Sequence, residues 1–151
     1  ISIEIIGQTP NLKYLKELKE LISQSKHSQN IILTPFITSK ELIKKYSSAN
    51  LFILPSKSEG LGRVIIEAQS TACPVLISSN TGMTDLIIED ETGYIFENNN
   101  KQDLKDKIEY IIKNYDTAVQ AGLNSREFVK DNQSVKNYEF GYKKLFDLVF
   151  T

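Results

Sequence analysis

The sequence predicts an α/β fold: a Rossmann-like parallel sheet, five strands of it in this chain, with helices on both faces and a helical C-terminal region. Three observations carry that prediction. Short β-branched runs alternate with stretches of helical periodicity. The runs are apolar throughout rather than alternating, as strands covered on both faces are. The segments that follow the runs are rich in Gly, Ser, Thr and Pro, the composition of binding loops at the carboxyl ends of such a sheet.

Residues 3–6 are the first run, which ends at Gly7. Pro10 opens the next stretch. There Leu12, Leu15, Leu18, Leu21 and Ile22 recur at spacings of three and four, with Lys and Glu between them. This is an amphipathic helix with a solvated charged face. Residues 31–33 form the second run, stopped by Pro35, and a short helix over 39–46 follows that Ser39 can cap. Residues 51–54 are the third run, ended by Pro55, and a helix spans about 62–71. Residues 75–77 form the fourth run, 85–88 a helical turn, and 93–96 the fifth run after a turn. Helices are expected over 103–114, 117–130 and 135–150. There is no internal repeat, and Asn98-Asn99-Asn100 reads as a loop.

Composition narrows the function. The chain has 151 residues, enough for one domain of ordinary size, with 40% hydrophobic and 25% charged residues as in an average globular protein. A net charge of −1 argues against a broad nucleic-acid-binding surface. Cys73 is the only cysteine, so no intrachain disulfide is possible. It reads as a small buried residue at a strand start and suits a reducing compartment, so the expected location is cytoplasmic. His27 is the only histidine and falls in a polar stretch at a surface helix end, so no transition-metal site is expected. Glu89-Asp90-Glu91 precedes Thr92-Gly93 and reads as a polar turn rather than a metal motif. No apolar run approaches the roughly 20 residues needed to cross a bilayer. Ile1 stands directly at a strand, so the chain is expected to be a fragment or an excised domain. Abundant Lys, Asn and Ile hint at a bacterial genome.

The chemistry concentrates in Pro55-Ser56-Lys57-Ser58-Glu59-Gly60-Leu61-Gly62, which leads directly into Arg63-Val64-Ile65-Ile66-Glu67-Ala68. Gly60 and Gly62 let the backbone approach a ligand closely. The first helical turn has unpaired N–H groups and a partial positive charge, which suits a diphosphate. Arg63 in that turn opposes the helix dipole, so a nearby anion would account for it. An Arg63–Glu67 pair at i, i+4 is the alternative, in the weaker orientation. Glu67 stands among Val64, Ile65, Ile66 and Ala68 and needs a partner if buried: a ribose diol or Arg63. Glu59 can accept from sugar hydroxyls beside the phosphates or be a solvated loop carboxylate.

The spacing Glu59-x7-Glu67 with Gly60 and Gly62 between resembles the Glu-x7-Glu motif of the group 1, or family 4, retaining glycosyltransferases of GT-B fold. Asn50-Leu51-Phe52-Ile53-Leu54-Pro55-Ser56 resembles the family strand before the motif, and Pro74-Val75-Leu76-Ile77 the next strand. Gly82 and Asp85 resemble a Gly-x-x-Glu element, and Gly93-Tyr94-Ile95-Phe96 the last strand. Ile5-Ile6-Gly7 and Leu33-Thr34-Pro35-Phe36 fit the earlier strands, so the resemblance covers nearly the whole chain in order. Thr81, Asp85 and Ala72 depart from the family, which has Gly, Glu and Gly there.

The resemblance implies that residues 1–151 are the donor-binding domain of a hexosyltransferase of polysaccharide biosynthesis. The domain would be incomplete at its N-terminus. The donor would be a UDP- or GDP-type nucleotide diphosphate sugar, used with retention and without an essential metal or other cofactor. Glu59 would be the catalytic carboxylate, contacting hydroxyls of the donor sugar. Ser58, Gly60, Leu61, Gly62, Arg63 and Val64 would hold sugar and diphosphate. Glu67 would bind the ribose, Phe36 and Ile37 would flank the base, and Gly7 would complete the site. The acceptor, a glycan or a lipid, would be bound by an N-terminal domain not in this chain, with peripheral membrane association of the full-length protein at the inner face. The isolated chain would be inactive. The family's first strand, with a phosphate-binding Arg and then a Lys, is absent, so the expected strand order is 3-2-(1)-4-5-6 with position 1 empty. A non-catalytic nucleotide-sugar-binding module and a GT-B-fold epimerase or phosphorylase are the alternatives. A nicotinamide dehydrogenase fits least, because no Gly-x-Gly-x-x-Gly follows the first strand.

Overall fold

All five apolar runs are strands in the computed structural model, which describes residues 1–9, 11–133 and 135–150. They are β1 (Ile3–Ile6), β2 (Ile31–Thr34), β3 (Phe52–Leu54), β4 (Val75–Ser78) and β5 (Tyr94–Phe96). They pair in two parallel sheets, β1-β2 and β3-β4-β5. Within each sheet these are the neighbours that the expected strand order requires. The chain divides into two compact units, residues 1–42 and 43–151.

In the first unit, β1 and β2 run in register from Ile3↔Ile31 to Ile6↔Thr34, and the Gly7 amide extends the ladder to the Thr34 carbonyl at 3.1 Å. The Thr34 hydroxyl donates to Glu4 at 2.6 Å. Helix α1 (Leu12–Gln24) begins where the Asn11 side chain accepts from the Tyr14 amide. Pro10, expected to open this helix, lies outside the described residues. Leu15, Leu18 and Ile22 form its half-buried stripe, while Leu12 and Leu21 are exposed. A short 3₁₀ turn, Ser28–Asn30, leads into β2, and His27 before it is exposed as expected.

Helix α2 (Ser39–Ser48) is capped one residue earlier than the sequence suggested. Thr38, not Ser39, accepts from the Glu41 amide, and Glu41 reaches back to the Thr38 amide at 2.8 Å. The three-residue spacing of Thr and Glu makes this reciprocal box possible, and Ser39 is left inside the helix.

In the second unit β4 is central and all four of its residues are buried. The core joins Leu76 with Tyr94 and Phe96 of β5. Against them stand Ile111 of α4 (Lys101–Lys113) and Ala118 and Ala121 of α5 (Tyr115–Asn132). Burial of each large side chain stabilises the unit by about 1.5–3 kcal/mol. Helix α4 starts two residues before its expected position because Asn100 accepts from the Gln102 and Asp103 amides. Cys73 is buried as expected, and burial pushes its thiol up to about 11. Helix α6 (Val135–Phe150) ends the described chain.

Helix α3 (Arg63–Ser70) packs on α5 and ends in a Schellman motif: the Cys73 amide donates to the Ala68 carbonyl and the Ala72 amide to that of Gln69. Ala72 has φ 62°, a left-handed conformation that glycine adopts without strain. Ala72→Gly is therefore expected to raise stability by about 0.5 kcal/mol, the relief of strain outweighing the extra unfolded-state entropy. Chemical denaturation measures this, and a loss of stability would refute the strain. Gly122 packs so closely here that a Cβ would stand 2.3 Å from the Ala72 carbonyl oxygen.

Candidate functional site

The glycine-rich loop joins β3 to α3, at the carboxyl end of the sheet β3-β4-β5. Gly62 is the residue before the helix, with φ −75° and ψ 67°, and no side chain caps the first turn. The Arg63 amide donates to the Leu61 carbonyl and that of Ile65 to the Gly62 carbonyl. Among the described residues, the amides of Gly60, Leu61, Gly62 and Val64 have no protein acceptor. These donors and the positive end of the helix form a concentration of positive potential.

The two glycines do different work. A Cβ on Gly60 would meet nothing within 4 Å, so this position is open to a ligand. One on Gly62 would stand 3.0 Å from Ile65 Cδ1 and 3.3 Å from Glu59 Cγ, so Gly62 serves the packing of the loop itself. Ser58, Leu61 and Arg63 are exposed, and Val64, Glu59 and Glu67 are half-buried. The alternative i, i+4 ion pair of Arg63 with Glu67 is not formed. Glu67 instead lies near Tyr46 of α2. The Tyr46 phenol is pushed up to about 12, first by its own burial, then by the Glu67 carboxylate and by Cys73.

A second loop, after β4, fixes the first. Glu59 and Thr81 form a single parallel bridge, in which the Glu59 amide donates to Asn80 and the Gly82 amide to Glu59 at 2.7 Å. Gly82 lies so close that a Cβ would sit 2.2 Å from the Gly60 carbonyl oxygen. This explains the departure at Thr81. Thr81 turns its buried hydroxyl to the Ser78 carbonyl at 3.0 Å, so a side chain is accommodated there, whereas position 82 has no room for one. Asp85 is exposed in a 3₁₀ turn, Thr84–Leu86.

Two amide side chains complete the support. Asn80 Nδ2 donates to the Lys57 carbonyl at 3.1 Å and Asn98 Nδ2 to the same oxygen at 3.2 Å. The Asn98 Oδ1 accepts from the buried Ser78 hydroxyl at 3.2 Å. Sequence reasoning missed Asn80, Asn98 and Tyr46. The polar run after the fifth strand was the available signal, but it fits an ordinary turn equally well.

Gly7, Phe36 and Ile37 belong to the first unit, at and beyond the carboxyl ends of β1 and β2. A Cβ on Gly7 would meet nothing within 4 Å, Phe36 is 72% exposed, and Ile37 is half-buried. Glu89 is occupied structurally: it pairs with Lys107 and accepts from the Ile95 amide at 3.0 Å. No helix among the described residues is long and apolar enough to cross a membrane.

The profile of the family described as "Glycosyl transferases group 1" matches residues 1–128. The chain is 32% identical over 105 residues to the capsular polysaccharide biosynthesis glycosyltransferase CapM of Staphylococcus aureus, covering 70% of this chain and 27% of that protein. It superposes with a TM-score of 0.77 and 26% identity on the C-terminal domain of the group 1 glycosyl transferase LpcC from Francisella tularensis, covering 84% of this chain and 66% of that one. A structure of S. aureus TarM (a mutant form in complex with fondaparinux, alpha-GlcNAc-glycerol and UDP) gives a TM-score of 0.80 at 25% identity, covering 97% of this chain and 29% of that one. The chain thus spans little more than a quarter of the length of CapM and TarM. With the profile matched from the first strand through α4 and most of α5, and the parallel α/β fold shared with the solved structures, the chain belongs to the group 1 glycosyl transferases, proteins of GT-B fold.

Proposed function

We propose that residues 1–151 are the donor-binding domain of a retaining glycosyltransferase, which moves a hexose from a nucleotide diphosphate sugar of UDP or GDP type to a glycan or lipid-linked acceptor. The observation that carries this reading is the loop of residues 59–64. It offers four unpaired amides and an open Gly60 at a helix N-terminus, flanked by the carboxylates of Glu59 and Glu67. The UDP in the TarM complex supports a nucleotide donor.

Departure of the diphosphate develops negative charge, and prealigned donors stabilise it most where water is excluded. The amides of Gly60, Leu61, Gly62 and Val64 supply those donors, with the Arg63 side chain, which forms no ion pair among the described residues, and Ser58 beside them. Glu59 orients the transferred sugar through its hydroxyls, as the catalytic carboxylate. Glu67 accepts from the ribose diol, and Phe36, Ile37 and Gly7 serve the base and the phosphate side. Retention of configuration is what the family resemblance implies, and in this reading the leaving phosphate takes the acceptor proton. The acceptor is held by the rest of the full-length protein, at the inner face of the membrane. The isolated chain is inactive.

The test is calorimetric titration of UDP-, GDP- and ADP-sugars into the full-length protein. One of the three classes is expected to bind. Failure of all three to bind would remove the donor-site reading.

A further inference from the structure

We infer that Asn98 is a positioning residue of the donor site, acting through Lys57; the functional half of this inference rests on the donor-site reading above. Ser78 ends the central strand and is fully buried, at 0% exposure. A buried hydroxyl is costly without a partner. Ser78 Oγ donates to Asn98 Oδ1, and the Asn98 backbone amide donates to the Ser79 hydroxyl at 3.1 Å. The first holds the Asn98 side chain and the second its backbone at the carboxyl edge of β4. Its Nδ2 then points to the Lys57 carbonyl. The orientation is forced chemically: a carbonyl oxygen only accepts, so it must face the NH₂ end, which leaves Oδ1 for the Ser78 hydroxyl.

The Lys57 carbonyl stands two residues before Glu59. It receives Asn98 from beyond β5 and Asn80 from beyond β4. One oxygen therefore ties together the ends of three adjacent strands. The neighbouring Glu59–Thr81 bridge and the Gly82 contact set the Glu59 backbone. Asn98 fixes the loop ahead of that bridge, so Glu59 and the open amides are presented in one conformation before a ligand arrives. Preorganisation of this kind appears as affinity rather than as global stability.

The test compares Asn98→Asp and Asn98→Ala with the wild type in the full-length protein. Asn98→Asp keeps the acceptor for Ser78 but sets an oxygen against the Lys57 carbonyl. Native-state hydrogen exchange reads the loop without any ligand. The Glu59 and Gly82 amides are expected to exchange about tenfold faster in Asn98→Asp, while the β4 amides and the unfolding midpoint stay near wild type. Titration with UDP-glucose and GDP-mannose is expected to show about tenfold weaker binding of whichever sugar the wild type takes. Unchanged exchange at Glu59 and Gly82 overturns the positioning role. So does a loss of binding that merely follows a lowered unfolding midpoint in both variants. If the wild type binds neither of these nor any other UDP-, GDP- or ADP-sugar while the exchange changes as expected, the clamp stands and the donor-site reading is what fails.

Discussion

Glu67→Ala in the full-length protein is expected to weaken nucleotide-sugar binding by about 10–100-fold, the size of one hydrogen bond to a charged group. Glu67 lies one turn into α3, half-buried on a helix whose neighbouring residues are mostly apolar. Its pairing with Arg63 is not made, which leaves the carboxylate available. A carboxylate accepts from both hydroxyls of a vicinal diol at once, and alanine accepts from neither. The fold should survive, because removing this carboxylate breaks no protein ion pair and leaves the Schellman end of the helix intact. Titration of the sugar and of the free nucleoside diphosphate should show similar losses, since both carry the ribose. Equal binding by variant and wild type would show that Glu67 is not a ligand contact. A loss confined to the nucleotide sugar, with the diphosphate bound as well as before, would move Glu67 from the ribose to the sugar.

Gly82→Ala is expected to cost about 1–3 kcal/mol of stability, as overpacking does, and to weaken donor binding at least about tenfold. The added methyl would stand 2.2 Å from the Gly60 carbonyl oxygen, and the obstruction is backbone that cannot rotate away. Relief requires the two loops to separate, which lengthens the Gly82–Glu59 hydrogen bond and shifts Glu59. Gly60→Ala is the informative companion. Its methyl points into open space, so the fold should tolerate it while a ligand lying against the loop would not. Denaturation and titration of both variants separate packing from binding. Gly82→Ala that binds and unfolds like the wild type would mean that the loops are not locked together.

The parts of this molecule that were legible beforehand are those governed by local rules. The apolar runs at residues 3–6, 31–33, 51–54, 75–77 and 93–96 became strands to within a residue or so, because runs this short and this apolar pair as buried parallel strands. The helices after the fifth strand were legible through their periodicity, with ends shifted by caps such as Asn100. The cap at Thr38 was misplaced because two adjacent hydroxyl residues satisfy the same local preference, and only the reach of Glu41 chooses between them.

The site divides in the same way. Sequence alone determined the motif from Ser58 to Glu67, its place between two strands, and the fold that follows from alternating strands and helices. All of these depend on residue order and on preferences within a few positions. Tertiary structure decided the rest: that Gly60 is open while Gly62 is packed, that Arg63 and Glu67 stay apart, and that Thr81 fits where Gly82 alone can approach Gly60. It also decided that Asn80 and Asn98 meet on one carbonyl oxygen, 23 and 41 residues from it in sequence. Such contacts depend on distances of a few tenths of an ångström between segments that only the paired strands bring together, and no local pattern in the chain encodes them.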